Sequence, residues 1–419
     1  MFSNKFGTLR STFAIFAPHI EKFMRNGYIA ALIVGSILYT ATIQSLCAQE
    51  TSSDKKVKFV YNAVFDFNFD NREFDPGKEE LASSGTIFGA RLTPSAGIEI
   101  KSGSSTHRLM AGIDVMKDFG RSPVLRDGAP DNDIHLENSR LLREVTMYYS
   151  VTSTIGNWQL RGFAGILPRY LTTGDYSKAF FSDSLVFYDN NLEGALIQAT
   201  GKSTAIEVVF DWNGKYGIGR REQFSAFGHL THSFARIMQG GLYAKYHHYA
   251  NTATYGSVVD DALLMPFVKA DFGTMAGIQE LSAKIALYCG LQNDRRDKEN
   301  GNKGRTGTEL TLKAMKWNIG IDNTLYIGQG LMPLYSRIDD GGYRYGNSLY
   351  TGSPMYRLDA SDEASRKWKT YNRLEVFYQP HIADFIDLRL SVIAHFPGSF
   401  AGTQQQLSLL FNLDRLIGR

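Results

Sequence analysis

Cysteine is almost missing from this sequence: 419 residues hold two, Cys47 and Cys289. If the first leaves with an export signal, no intramolecular disulfide can staple the fold. An excess of one charge is missing as well. Forty-five Lys and Arg stand against 42 Asp and Glu, for a net charge of +3. With no clustered basic run, nucleic acid is excluded as a partner. Beyond Ala48 no apolar run approaches the ~20 residues a spanning helix needs. If the chain crosses a membrane after that point, it does so as a closed β-barrel, which pairs every backbone N–H and C=O internally. The sequence also lacks GxSxG and HExxH, two motifs that would announce a hydrolase.

Aromatic residues are plentiful: 22 Tyr and 27 Phe. They suit strands and membrane interfaces. From Met24 the chain reads MRNGYIAALIVGSILYTATIQSLCAQE. Arg25 is a positive start, Tyr28 to Ile43 a short apolar stretch, and Leu46-Cys47-Ala48 a cleavage site with Gln49 as the new N-terminus. Residues 1–48 are therefore expected to be a signal-peptide region with Met24 as the true start, and 49–419 the mature domain. Leu46, where a lipoprotein has a small residue, argues against lipidation.

The mature chain alternates with period 2, the mark of strands between two environments. Val57, Phe59, Tyr61, Ala63, Phe65, Phe67 and Phe69 share one face; Lys58, Asn62, Asp66, Asn68 and Asp70 lie on the other. Near the end, Leu388, Leu390, Val392 and Ala394 oppose Asp387, Arg389, Ser391 and His395, and Leu407, Leu409, Phe411 and Leu413 form another apolar row. A soluble sandwich alternates too. Two features favour a barrel: charges in mid-strand on the polar face, and apolar rows as long as the ~9–11 residues of a tilted membrane strand.

About sixteen strands are expected, beginning near Val57, Thr86, His107, Leu142, Trp158, Leu192, Ala205, Phe224, Gly241, Leu264, Leu281, Thr308, Asn318, Trp368, Phe385 and Gln405. Between Leu192 and Phe272 glycines and Pro266 blur the period. Short and long connections alternate, as short periplasmic turns and long outer loops do. The reading is an all-β transmembrane antiparallel up-and-down barrel in the cell outer membrane. It resembles the sixteen-stranded general porins. The segments GILPRYLTTGDYSKAFFSDSLVFYDNNLEGALIQ, VVFDWNGKYGIGRREQF and YNRLEVFYQP also resemble outer-membrane barrel proteins of the Bacteroidota, a family without assigned chemistry. The end, Asp414 to Arg419, departs from outer-membrane proteins that finish on an aromatic residue.

A barrel of that size encloses water. The expected function is a passive channel for small polar solutes, embedded in outer-membrane lipid and compatible with a homo-oligomer. Alternatives are a surface-binding or structural barrel with an occluded lumen and, less favoured, an outer-membrane hydrolase. Expected pore-lining residues are Arg91, Arg108, Asp114, Glu144, Arg161, Glu207, Asp211, Lys284, Lys313, Arg373, Glu375, Asp387 and Arg389. Such charges either set a transverse field or pair and brace the wall. The resemblance to general porins implies that the connection after the fifth strand, Pro168 to Asn190, turns inward. Its Arg169, Asp175, Lys178 and Asp183 are the expected constriction residues. A loop that only covers the mouth is the competing reading. No catalytic residue, cofactor or metal is expected: His229 and His232, three apart, and His247 and His248, adjacent, face opposite sides of a strand. Asp211-Trp212-Asn213 with Arg220, Arg221 and Glu222 reads as a strand-end cap, and Tyr335, Tyr343, Tyr345, Tyr350 and Tyr356 as a Tyr-rich loop that packs on itself or binds glycans.

Overall fold

A computed structural model of the chain describes residues 57–78, 84–120, 141–218, 221–250, 258–298, 301–334, 349–357 and 364–413. The signal region, the Gln49 start, Arg220, Tyr335, Tyr343, Tyr345 and residues 414–419 lie outside them. The chain divides into two units. Of the first, only Lys101–Gly103 is described, a strand end running into a turn at Gly103. The second, Val57–Ile100 with Ser104–Arg419, carries the barrel.

Seventeen strands form one sheet. They are β1 (Val57–Phe74), β2 (Gly85–Ser102), β3 (Ser105–Asp118), β4 (Leu142–Ile155), β5 (Trp158–Pro168), β6 (Asn191–Thr200), β7 (Thr204–Gly214), β8 (Gln223–Ser233) and β9 (Met238–Ala250). There follow β10 (Val258–Asp271), β11 (Glu280–Asp294), β12 (Asn302–Lys316), β13 (Ile319–Gly328), β14 (Lys369–Tyr378), β15 (His381–Ala383), β16 (Ile386–Pro397) and β17 (Gly402–Asn412). β15 has three residues, and β14 pairs directly with β16. The wall therefore has sixteen staves. All the pairings are antiparallel, and β1 closes the ring on β17 from Val64↔Asn412 to Phe74↔Gly402. Closure removes the two free edges that an open sheet would expose. Between β12 and β13 the chain reverses in two residues. Trp317 and Asn318 both take positive φ, 54° and 65°, the geometry that matches the twist of a tight hairpin.

The wall is inside-out relative to a soluble protein. Val145, Met147, Val208, Ile285, Leu287 and Leu312 are exposed on its outer face. Their neighbours Thr146, Glu207, Ser282, Tyr288 and Thr311 are buried within. Exposed Phe59, Tyr61, Trp158, Trp317 and Tyr378 ring the end with the short turns, where aromatic rings sit at a membrane interface. Strands of 10 to 18 residues (β15 apart) are long enough to cross. This is the architecture of an outer-membrane β-barrel.

Two strands start earlier than the sequence suggests. β10 begins at Val258, because Val259 and Asp261 face inward while Asp260 pairs outward with Arg295, so the pattern carries no simple polarity. β12 begins at Asn302, where Lys303-Gly-Arg-Thr-Gly reads as loop but pairs with β11 through Asn293↔Asn302 and Gly290↔Arg305.

Candidate functional site: the filled lumen

The residues between β5 and β6 do not leave the barrel. They fold between its walls and touch strands on opposite sides. Arg169, at the entry, donates to Asp211 on β7 at 3.0 Å and to the Asp189 and Asn191 carbonyls at 3.0 Å. Thr173 then reaches Glu207 on β7: its backbone N–H donates at 2.6 Å and its hydroxyl at 2.9 Å. Tyr176 donates to the other oxygen of Glu207 at 3.0 Å, and Gln198 on β6 donates to the oxygen that Thr173 uses, at 2.8 Å. Ser177 crosses to β12, donating to Glu309 at 3.1 Å. Asp183 opens a short helix, α1 (Asp183–Tyr188), and lies 3.4 Å from Gln404 on β17. Gln404 in turn donates to Asp70 on β1 at 2.7 Å. Phe187 ends the path, its carbonyl held by Arg91 on β2, which is also ion-paired with Asp114 on β3.

Three apolar footings secure this path. Phe180 is fully buried against Tyr243, Met265, Tyr288 and their neighbours. Tyr176 and Phe181 pack on Phe163, Leu196 and Phe227 of β5, β6 and β8. Phe187 packs on Ile87 and Met116 of β2 and β3. Burying side chains of this size stabilises by roughly 1.5–3 kcal/mol each, so the segment is held by packing as well as by its hydrogen bonds.

A second stretch enters beside it. Leu331, Met332 and Leu334, just after β13, are buried in the same aromatic core as Phe180, and so are Met355 and Tyr356. Tyr350 and Tyr356, which the sequence offers as surface rings, turn inward: Tyr356 donates to Glu309 at 2.6 Å, and Tyr350 is stacked by His247 with ring centroids 6.3 Å apart. Of the two readings open to the Tyr-rich loop, packing and glycan binding, these two residues follow the first. The reason is that the β10–β14 wall presents Leu263, Met265, Tyr326 and Tyr371 inward, and those residues need apolar partners.

The charges of the wall are largely consumed by these contacts. Arg91 pairs with Asp114, whose carboxylate also accepts from Asn191; Asn191 reaches Glu144 too, at 2.8 Å. Arg373 and Arg389 both bind Glu375, at 2.8 and 2.7 Å. Lys313 pairs with Asp322 at 3.3 Å, and Lys284 lies 3.9 Å from Glu309. Arg108 binds Glu99 at 2.6 Å, and Arg161 lies over the Phe163 ring. Asp387 sits half-buried opposite Leu410. Of the thirteen residues named from the sequence, Arg91, Asp114, Glu207, Asp211, Arg373 and Glu375 are buried within the wall. Of the two roles open to them, pairing and bracing is the one most perform. Within the inserted segment, Lys178 pairs with Asp183, and Asp175 is exposed near Lys313, Lys284 and Lys269. Burial works against ionised Asp183, but Lys178, Arg373 and Arg72 outweigh it and hold its carboxyl well below the usual range. Burial, opposed by Arg169 and reinforced by Asp211, lifts Asp189 to about 6.

Three residues important to this arrangement find partners that no local pattern shows. Lys245 on β9 is buried and donates to the carbonyls of Phe180 at 2.8 Å and Tyr350 at 2.6 Å. Glu309 gathers Ser177, Tyr288 and Tyr356 on one carboxylate oxygen. Ser225 on β8 shares a hydrogen bond of 2.9 Å with His247 on β9, its direct cross-strand partner. Pairs of this kind appear only when register brings distant residues opposite one another. Among the described residues no cluster of His, Cys, Asp or Glu is arranged to hold a metal ion.

Comparison with known proteins adds a partial family likeness. A family model described as lipid A 3'-O-deacylase-type matches residues 50–245, a span ending within β9. No curated protein matches the chain. Solved structures with a similar course include a mutant of the Rh. blastica porin at 9% identity and a TM-score of 0.41, covering 85% of this chain and 100% of that one. The outer membrane protein OpdK of Pseudomonas aeruginosa is similar at 10% identity and a TM-score of 0.37, covering 85% of this chain and 98% of its own.

Proposed function

We propose that the protein is an outer-membrane channel for small polar solutes whose aperture is set by the inserted residues 169–190. The carrying observation is the reach of that segment, which is tied to Glu207 on one side of the barrel and to Gln404 and Arg91 on the other. A passive route through a sixteen-stave barrel is wide unless something crosses it, and this segment crosses it. Selectivity then follows from the few charges not committed to ion pairs, such as exposed Asp175. The test is single-channel conductance in a planar bilayer. Native protein should conduct in small steps, and a variant lacking Tyr176–Ser182 should conduct in larger ones while keeping heat-resistant barrel migration. If both form intact barrels and neither conducts, the channel reading fails.

A second reading, hydrolysis of an acyl ester, is favoured by the lipid A 3'-O-deacylase-type match together with the Ser225–His247 contact. A serine hydroxyl beside an imidazole is the minimum pair for nucleophilic acyl transfer. Both residues are buried, His247 completely, under Tyr350, so this chemistry requires that cover to move. A fluorophosphonate probe decides it. Labelling lost in Ser225→Ala supports the hydrolase, and no labelling with Tyr350→Ala in place removes it.

A further inference from the structure

The two inserted stretches share their anchors. Glu309 accepts from Ser177 of the first and Tyr356 of the second, both on the same carboxylate oxygen. Lys245 is a buried ammonium whose hydrogen bonds go to Phe180 of the first and Tyr350 of the second. The stretches also touch directly. The Ser353 N–H donates to the Lys178 carbonyl at 2.7 Å, and Gly352 lies so close to Ala179 that an added Cβ would collide with its carbonyl. Burial pushes the Tyr350 hydroxyl up, with Asp189 of the first stretch as a neighbour and hydrogen-bond partner.

We infer that residues 169–190 and 349–357 form one interlocked plug, and that they leave or enter the lumen together. The physical reason is the cost of partial release. Withdrawing either stretch alone leaves Lys245 and Glu309 buried with part of their hydrogen bonds missing, and an unsatisfied buried charge costs more than a neutral group. Removing both at once admits water, which resolvates the two charges. Intermediate states are therefore disfavoured and the transition is cooperative. By linkage, loosening one stretch loosens the other to the same degree. Gating as one unit rests on the channel reading above, but the coupling does not.

The coupling can be measured without conduction. Glu207 anchors only the first stretch, through Thr173 and Tyr176. In full-length protein with Cys47 and Cys289 both replaced, a thiol is placed in the second stretch by Ser353→Cys and its maleimide labelling rate is followed. Adding Glu207→Gln should raise that rate about tenfold, with heat-resistant migration unchanged. Tyr176→Phe deletes one hydroxyl and should act in the same direction if Glu207→Gln does not fold. Reciprocally, Tyr356→Phe should speed labelling of Ser182→Cys. An unchanged rate at Cys-substituted Ser353 in folded Glu207→Gln or Tyr176→Phe protein overturns the interlock. Absence of conductance in the same samples bears only on the channel.

Discussion

Two sectors of one barrel differ in what they present to the interior. From β16 through β17 and β1 to β3, most inward residues are polar, among them Arg389, Ser391, Gln404, Asp70, Arg91 and Asp114, with Val64, Ile87, Met116 and Ile393 between them. On the β10–β14 side the inward face carries Leu263, Met265, Phe267, Tyr288, Tyr326 and Tyr371. The outer face is apolar in both. The first sector therefore alternates, as a wall between lipid and a polar interior must. The second sets apolar and aromatic residues among inward charges such as Glu309, Arg373 and Glu375, because the inserted segments meet it on that side and lipid on the other. What a strand shows in its pattern is its two neighbours, and here one neighbour is a loop from elsewhere in the chain.

The contrast can be broken at chosen residues. The largest effect is expected at Met265, which is completely buried on the filled side. Met265→Ala leaves a cavity beneath Phe180 and should destabilise by about 2–5 kcal/mol, read as a lower urea midpoint for the folded barrel. Leu287→Arg places a charge on the lipid face and should cost about 2–4 kcal/mol if near the midplane. The same midpoint measurement in lipid checks it, and equal tolerance of Arg at Leu287 and at an inward neighbour would contradict the assigned faces. Tyr356→Phe removes one of the hydroxyls on Glu309 and should cost about 1–3 kcal/mol, seen as faster proteolysis of the inserted stretches.

The smallest effect is electrostatic. Asp189 has its carboxyl raised from 3.8 to about 6 in the folded protein. A raised carboxyl favours the folded state while protonated, so its contribution is full below pH ~4 and is lost as pH rises through 6. Labelling of Ser182→Cys should thus accelerate between pH 4 and 6 beyond the intrinsic thiol trend, and Asp189→Asn should flatten that extra rise.

Much of the barrel was legible in the sequence. Every strand start except those of β10 and β12 lies within a few residues of its expected position, because lipid enforces an apolar outer row whatever lies inside. The stretch Ala262-Leu-Leu-Met-Pro-Phe-Val268 defeated the alternation for a physical reason: Leu263, Met265 and Phe267 face the plug while Leu264, Pro266 and Val268 face outward. The inserted path of 169–190 was open to inference only by resemblance, since its composition of mixed charges and Phe180-Phe181 fits a surface loop equally well. Lys245 and Glu309 alternate as inward charges, but their partners, and the Ser225–His247 pair, were illegible. Their meaning depends on strand register and on which carbonyls arrive from the other side of the barrel, and neither is written locally.

The central claim is that residues 169–190 lie across the lumen, and a cross-link tests it most directly. Asp183 and Gln404, 221 residues apart in sequence, approach within 3.4 Å. In protein with Cys47 and Cys289 both replaced and embedded in outer membrane, Asp183→Cys with Gln404→Cys should form a disulfide on mild oxidation, visible as a compact form on denaturing gels. Ser105→Cys with Ser153→Cys, whose native hydroxyls are 3.0 Å apart across β3 and β4, serves as the wall control. Cross-linking of both pairs is the predicted result. Cross-linking of the wall pair alone, in a folded barrel, would mean that the segment lies outside and that the lumen is closed, if at all, by something else.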